Sequence, residues 1–176
     1  LSADPRFTEA RARRLYRGPV YFRKESEPYM AIAIAEGGQG GGVTAAEVNL
    51  KFIWDVVSQI KVGEKGKVYV VDRAGLLVAD PDIGLVLRKT NLSKLPQVQW
   101  ALRKDAEESF ALVARDMAGA SVLTAYASIE PLGWKVFVEQ PVSEVYVTLK
   151  ATMLRTGALM LAGLLLSALM ALVFAR

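Results

Sequence analysis

The chain contains no cysteine and no histidine. The first absence removes disulfides, thiolate nucleophiles and thiolate metal ligands. The second removes a Ser-His-Asp triad, His-ligated zinc and a phospho-accepting histidine from this chain. Only a Ser-Lys or a carboxylate pair remains for covalent or acid-base chemistry, so no catalysis, cofactor or metal site is expected. An excess of one charge is lacking too: 22 Lys and Arg face 18 Asp and Glu, a net charge of +4. The early basic residues (Arg6, Arg11, Arg13, Arg14, Arg17, Arg23, Lys24) are interleaved with Asp4, Glu9, Glu25 and Glu27. That is the pattern of a solvated face, and no nucleic-acid partner is expected.

One hydrophobic run is present, and it is long. Thr156 to Ala175 carries no charge and lies between Arg155 and Arg176. A bilayer core about 30 Å thick needs about 20 helical residues. The run is therefore expected to span a membrane. Upstream, Val142, Val145, Leu149 and Met153 form an apolar stripe at helical spacing, with Pro141 suited to a first turn. One juxtamembrane helix over 141–155 should lead into the span at 156–175. The chain opens at Leu1 without Met, which reads as a fragment of a longer protein.

The remaining stretch mixes strands and helices. Phe7 to Tyr16 reads as a helix broken by Gly18-Pro19, with a short strand over Val20 to Phe22. "PYMAIAIA" alternates at period two, placing Tyr29, Ala31, Ala33 and Ala35 on one face and Met30, Ile32 and Ile34 on the other. "EGGQGGG" is a turn and "VTAAEVNL" a returning strand, together a hairpin. A phosphate loop is not expected there, because a strand and not a helix follows the glycines. Leu50, Ile53, Trp54, Val57 and Ile60 have helical spacing. "KVYVVD" and "LLVAD" are strands around a tight "RAG" turn. Short helical pieces follow at "PDIGLVL" and 96–104, then strands at 109–115, 121–129 and 134–140. Asp72, Asp80 and Asp82 read as turn and cap residues rather than as a metal or acid-base cluster. The order predicts an α+β fold with antiparallel sheets, as two small sheets joined near 88–95.

Tyr16, Tyr21, Phe22 and Tyr29 cluster in sequence with Arg17, Arg23, Glu25 and Glu27. Ring walls with a few charges are what a pocket for a small charged ligand uses; a half-buried strand with a solvated far side has the same composition.

The stretches "VYFRKESEPYMAIAIA", "GGVTAAEVNLKFIWDVVSQIKVGEKGKVYVVDRAGLLVADPDIGLVLRKTNLSKLPQV" and "LGWKVFVEQPVSEVY" resemble the double Cache sensor domains of bacterial receptors, the histidine kinase and nucleotide cyclase types above all. The resemblance covers nearly everything ahead of the greasy run. It implies two PAS-like modules: a membrane-distal, ligand-binding one over 1–90, without its N-terminal stalk helix, and a membrane-proximal one over 91–140. It further implies a homodimer in the bacterial inner membrane, with its soluble part periplasmic or extracellular. Signals would pass to an output domain outside this chain, as in a two-component system. In amino-acid-sensing members an acidic residue near the end of the returning strand holds the ligand ammonium, and Glu47 falls near that position. The expected ligand-binding residues are Tyr16, Tyr21, Arg23, Tyr29 and Glu47, for an amino acid, organic acid or amine. The competing expectation is a ligand-free, membrane-anchored structural or protein-interaction domain.

Overall fold

A computed structural model describes residues 4–23, 27–37, 41–103 and 112–174; within its last helix the side chains of 145–152, 168, 169, 172 and 173 are outside the description. The described elements are α1 (Pro5–Arg13), β1 (Leu15–Arg23), β2 (Glu27–Ala35), β3 (Val43–Asn49), α2 (Lys51–Gln59), β4 (Lys67–Val71), β5 (Leu77–Ala79), α3 (Ile83–Leu87), α4 (Pro96–Ala101), β6 (Leu112–Arg115), β7 (Ser121–Ile129), β8 (Trp134–Pro141) and α5 (Val142–Phe174).

Two antiparallel sheets result. The first has the order β1-β2-β3, the second β5-β4-β8-β7-β6. The α+β, antiparallel reading of the sequence holds. The position of the joint does not: β4 and β5 belong to the second sheet, so the sheets meet across α2, between Asn49 and Lys67, and not near 88–95. The reason lies in long-range pairing. Lys67 to Val71 pairs with Glu139 to Lys135, a partner more than 60 residues away that local periodicity does not reveal.

Both faces of the second sheet are covered, which explains why β4 reads as a nearly continuous apolar run. Val68, Val70 and Val78 face α2 and the inner side of the first sheet, together with Val20, Met30, Leu50, Val57 and Trp134. Tyr69, Val71, Leu77 and Phe137 face α3 and α4, with Val86, Leu92 and Val98. Burying one side chain of the size of Phe137 contributes about 1.5–3 kcal/mol. Short-range chemistry shapes the turns as expected. Asp72 Oδ1 accepts from the backbone N–H of Ala74 (2.8 Å) and Leu76 (2.9 Å), and Gly75 sits at φ 78°. Asp82 caps α3 through the N–H of Gly84 at 2.9 Å.

Helix α5 follows β8 without a loop: Pro141 ends the strand and Val142 begins a continuous 33-residue helix. Pro141 thus closes the strand instead of opening the helix. From Met153 on, the described side chains of α5 are exposed, Leu154, Leu159, Leu161, Leu164, Leu165, Leu166 and Phe174 among them. No helix of the described residues is long and apolar enough to cross a membrane. The expected span over 156–175 falls partly outside the description, at Ala175 and at four side chains before it. Val145 and Leu149 of the expected stripe are outside it as well.

Candidate functional site

The first sheet is built around an irregularity. In β1, Arg17 pairs with Ile32 and Val20 with Met30, so Gly18 and Pro19 together oppose the single residue Ala31. This is a β-bulge, and it lies on an edge strand, where the missing N–H of Pro19 costs no ladder hydrogen bond. Gly18-Pro19 therefore bends a strand that runs from Leu15 to Arg23; it does not end a helix, which stops earlier at Arg13. The bulge changes the face count. Tyr16 and Tyr21 are five residues apart and would point to opposite faces of a regular strand. With one extra residue between them, both lie on the face of Tyr29, Ala31 and Ala33, because Tyr16 pairs with Ala33 and Tyr21 with Tyr29.

Helix α1 lies against this face and buries Ala10 on it. Its N-terminus, with Asp4, Pro5 and Arg6, closes one side of an open cleft of about 400 Å³. Tyr16, Gly18, Pro19, Tyr21, Ala31 and Glu47 form the rest of the lining. The cleft thus joins two carboxylates, one guanidinium and two phenol rings. Asp4 caps α1 by accepting from the Arg6 N–H (2.9 Å) and pairs with the Arg6 guanidinium (2.7 Å). Its bonds to Arg6 hold the Asp4 carboxyl below the usual carboxylate range and raise Arg6 in turn. Tyr21 is pushed up, first by burial and then by the neighbouring Glu47 carboxylate. Its hydroxyl is buried without a hydrogen bond of good geometry among the described residues. It is a polar group next to the cleft with bonding capacity to spare.

Of the five residues expected from the sequence, Tyr16, Tyr21 and Glu47 line this cleft, and Arg23 and Tyr29 stand beside it. Arg23 Nη1 pairs with Glu47 Oε2 at 3.0 Å, both side chains well exposed. Tyr29 stacks on Tyr21 with ring centroids 6.2 Å apart. Its hydroxyl donates to Glu27 (2.9 Å) and accepts from Asn49 (3.1 Å). The Glu27 bond raises its pKa. Sequence reasoning missed Asp4 and Arg6. The helix-start pattern of Asp followed by Pro was the available signal. Among the described residues no group of three or more His, Cys, Asp or Glu could hold a metal ion.

A three-stranded sheet with such a cleft, set on a second sheet that runs into a long helix, is the architecture of a sensory ligand-binding module. The sequence model of the Cache domain matches residues 4–149, and the chain belongs to that family. Cache domains are extracellular sensor modules of membrane receptors, not catalytic ones. Solved structures agree in fold. The extracellular domain of mmHK1S-Z3, assigned as a histidine kinase, is 16% identical with a TM-score of 0.69, over 85% of this chain and 58% of that one. The ligand-binding domain of Mlp24 with asparagine is 16% identical with a TM-score of 0.60, over 85% and 60%. The ligand-binding domain of the Pseudomonas aeruginosa PAO1 chemoreceptor PctC in complex with GABA is 21% identical with a TM-score of 0.57, over 79% and 62%. The chain spans about three-fifths of the length of these domains. Comparison with curated proteins gave no match.

Proposed function

We propose that this chain senses a small molecule outside the cytoplasm and passes the signal along α5 to an output domain beyond the chain. The observation that carries the reading is the cleft between α1 and the bulged strand, where Glu47, Tyr21, Tyr16, Asp4 and Arg6 converge. A ligand bearing an ammonium would meet Glu47, and a carboxylate would meet Arg6. An amino acid fits both; amines and organic acids fit one each. The Asp4–Arg6 and Arg23–Glu47 pairs are exposed, and exposed pairs contribute little. A ligand can therefore displace them at small cost.

The division into modules follows the sheets in this reading. The distal module comprises α1 and β1–β3, and the proximal one runs from α2 through β8, in place of a boundary at residue 90. α5 is the signalling helix, and its uncharged part from Thr156 is the membrane span. The exposed Leu, Met and Phe side chains described along this stretch support lipid contact. A homodimer in the inner membrane, with the two sheets outside, completes the arrangement. The deciding experiment is calorimetric titration of the full-length receptor with amino acids, amines and organic acids. Binding that Glu47→Ala weakens supports the cleft. Binding that ignores Glu47→Ala, Arg6→Ala and Tyr21→Phe alike would place the ligand elsewhere.

A further inference from the structure

The second sheet carries a polar row on its otherwise apolar α4-facing side. Lys67, Glu139 and Thr124 stand abreast on β4, β8 and β7, as direct register partners. Asp80 joins at the end of β5, where its carboxylate meets Lys67 Nζ at 3.3 Å. Gln97 of α4 reaches over the row from above. Asp80, Gln97, Thr124 and Glu139 are all at most 3% exposed. Beside them lies an aromatic row, in which Tyr69 and Phe137 stack at 5.1 Å and Phe137 meets Tyr126 at 5.7 Å.

The hydrogen-bond inventory of this row does not close. Glu139 Oε1 accepts from the Tyr69 hydroxyl at 2.7 Å and from Gln97 Nε2 at 3.1 Å, both neutral donors. Burial, with Glu139 beside it, pushes the Tyr69 hydroxyl well above the ordinary tyrosine range, which keeps it a donor. Among the described residues Glu139 has no ion-pair partner, since its neighbour Lys67 is turned to Asp80. Gln97 Nε2 also donates to the Arg115 carbonyl at 3.1 Å. Both amide hydrogens are thus used, and two acceptors facing one amide atom fix it as nitrogen. That leaves Gln97 Oε1 buried and without a donor, and Thr124 Oγ1 likewise has no partner among the described residues. A buried carboxylate held by neutral donors alone, next to two orphaned oxygens, is costly unless something supplies donors or positive charge.

We propose that Glu139, Gln97 Oε1 and Thr124 Oγ1 form a second binding site, in the sheet nearer α5, for a small primary ammonium: ammonium itself or the head of a short primary amine. In number, three acceptors that include one carboxylate match the three N–H donors of a primary ammonium. A divalent metal is the poorer match, because no group of three carboxylates assembles among the described residues. This site is separate from the cleft of the first sheet and does not depend on a ligand binding there.

The test uses the full-length protein in nanodiscs, with thermal shift and calorimetric titration at constant ionic strength. The probes are ammonium chloride, methylammonium chloride, tetramethylammonium chloride and sodium chloride. Ammonium or methylammonium should raise the melting temperature saturably, while tetramethylammonium, which has no N–H, and sodium should not. Thr124→Val keeps shape and removes one acceptor; it should weaken methylammonium binding about tenfold or more. Glu139→Gln should abolish binding, and a folded Thr124→Val keeps the test decisive if Glu139→Gln does not fold. Equal responses to all four salts, or none to any, would overturn the proposal and leave ordered water in the site. So would undiminished binding in Thr124→Val. Loss of the response in Glu47→Ala but not in Thr124→Val would assign the amine to the first cleft and equally overturn it.

Discussion

Glu144, in the first turn of α5, accepts a hydrogen bond from the backbone N–H of Glu64, 80 residues earlier, at 2.5 Å. Its second oxygen accepts from the N–H of Lys65 at 3.2 Å. The turn between α2 and β4 is thereby tied to the start of α5. Gly63 sits at φ 59°, and a Cβ there would collide with the Glu144 carboxylate. Glu144→Ala should lower stability by about 1–2 kcal/mol, as expected for a carboxylate bonded to two N–H groups at a partly exposed site. Amide hydrogen exchange at Glu64 and Lys65 should quicken. Gly63→Ala should produce the same exchange signature with Glu144 intact. Unchanged protection in both variants would mean that the tie bears no strain.

In the cleft, Tyr21→Phe removes a hydroxyl with spare bonding capacity, and Glu47→Ala removes a carboxylate. Once a ligand is found by titration, Glu47→Ala should weaken it about ten- to a hundredfold, the value of a charge-assisted hydrogen bond. Arg23→Ala should have a smaller effect, because Arg23 touches Glu47 from outside the lining. A larger loss for Arg23→Ala than for Glu47→Ala would reverse these roles.

Tyr69 gives the fold an alkaline limit. Its folded-state pKa is raised above the ordinary value near 10, chiefly by burial. Its contribution to stability is therefore complete below about pH 10 and is lost as pH climbs toward the raised value, because only the unfolded chain releases the proton in that interval. Between pH 10 and 11 the wild type should lose stability faster than Tyr69→Phe, by about 1.4 kcal/mol per pH unit at most. Parallel curves from chemical denaturation at each pH would count against this.

The membrane reading makes a simple physical demand. Residues 1–176 should need detergent or lipid to stay dispersed, whereas a version ending at Lys150, which keeps Glu144, should be monodisperse in plain buffer. Equal behaviour of the two in buffer would speak against a span.

Rigid transmission through α5 can be tested by phase. One Ala inserted after Lys150 rotates everything beyond it by about 100°. In the full-length receptor this should lock or invert output. Four inserted residues, about one turn, should restore more of it. Ligand-controlled output of normal size in both variants would reduce α5 to a tether.

Much of this architecture could be read from local pattern. Period-two alternation in "PYMAIAIA" assigned Ala31 and Ala33 to one face and Met30 to the other, and the register agrees. The turn at Asp72 and the cap at Asp82 followed from short-range chemistry. What local pattern could not supply was partnership over distance. β4 and β8 pair across more than 60 residues, so the joint between sheets was misplaced. The face shared by Tyr16 and Tyr21 depends on a bulge that Gly18-Pro19 hinted at but that was read as a helix break. Asp4 and Arg6 reach the cleft only because α1 folds back over the sheet.

The strand that becomes α5 lies third of five in its sheet, hydrogen-bonded on both sides. With no loop between Pro141 and Val142, strand and helix share one continuous backbone. A residue of extended chain advances about 3.3 Å, and a helical residue about 1.5 Å. Moving the changeover point by a single residue would retract the far end of α5 by about 1.8 Å and turn it at the same time. Winding and unwinding at that one junction would convert a change in sheet pairing into a screw motion, and a separate hinge would not be needed.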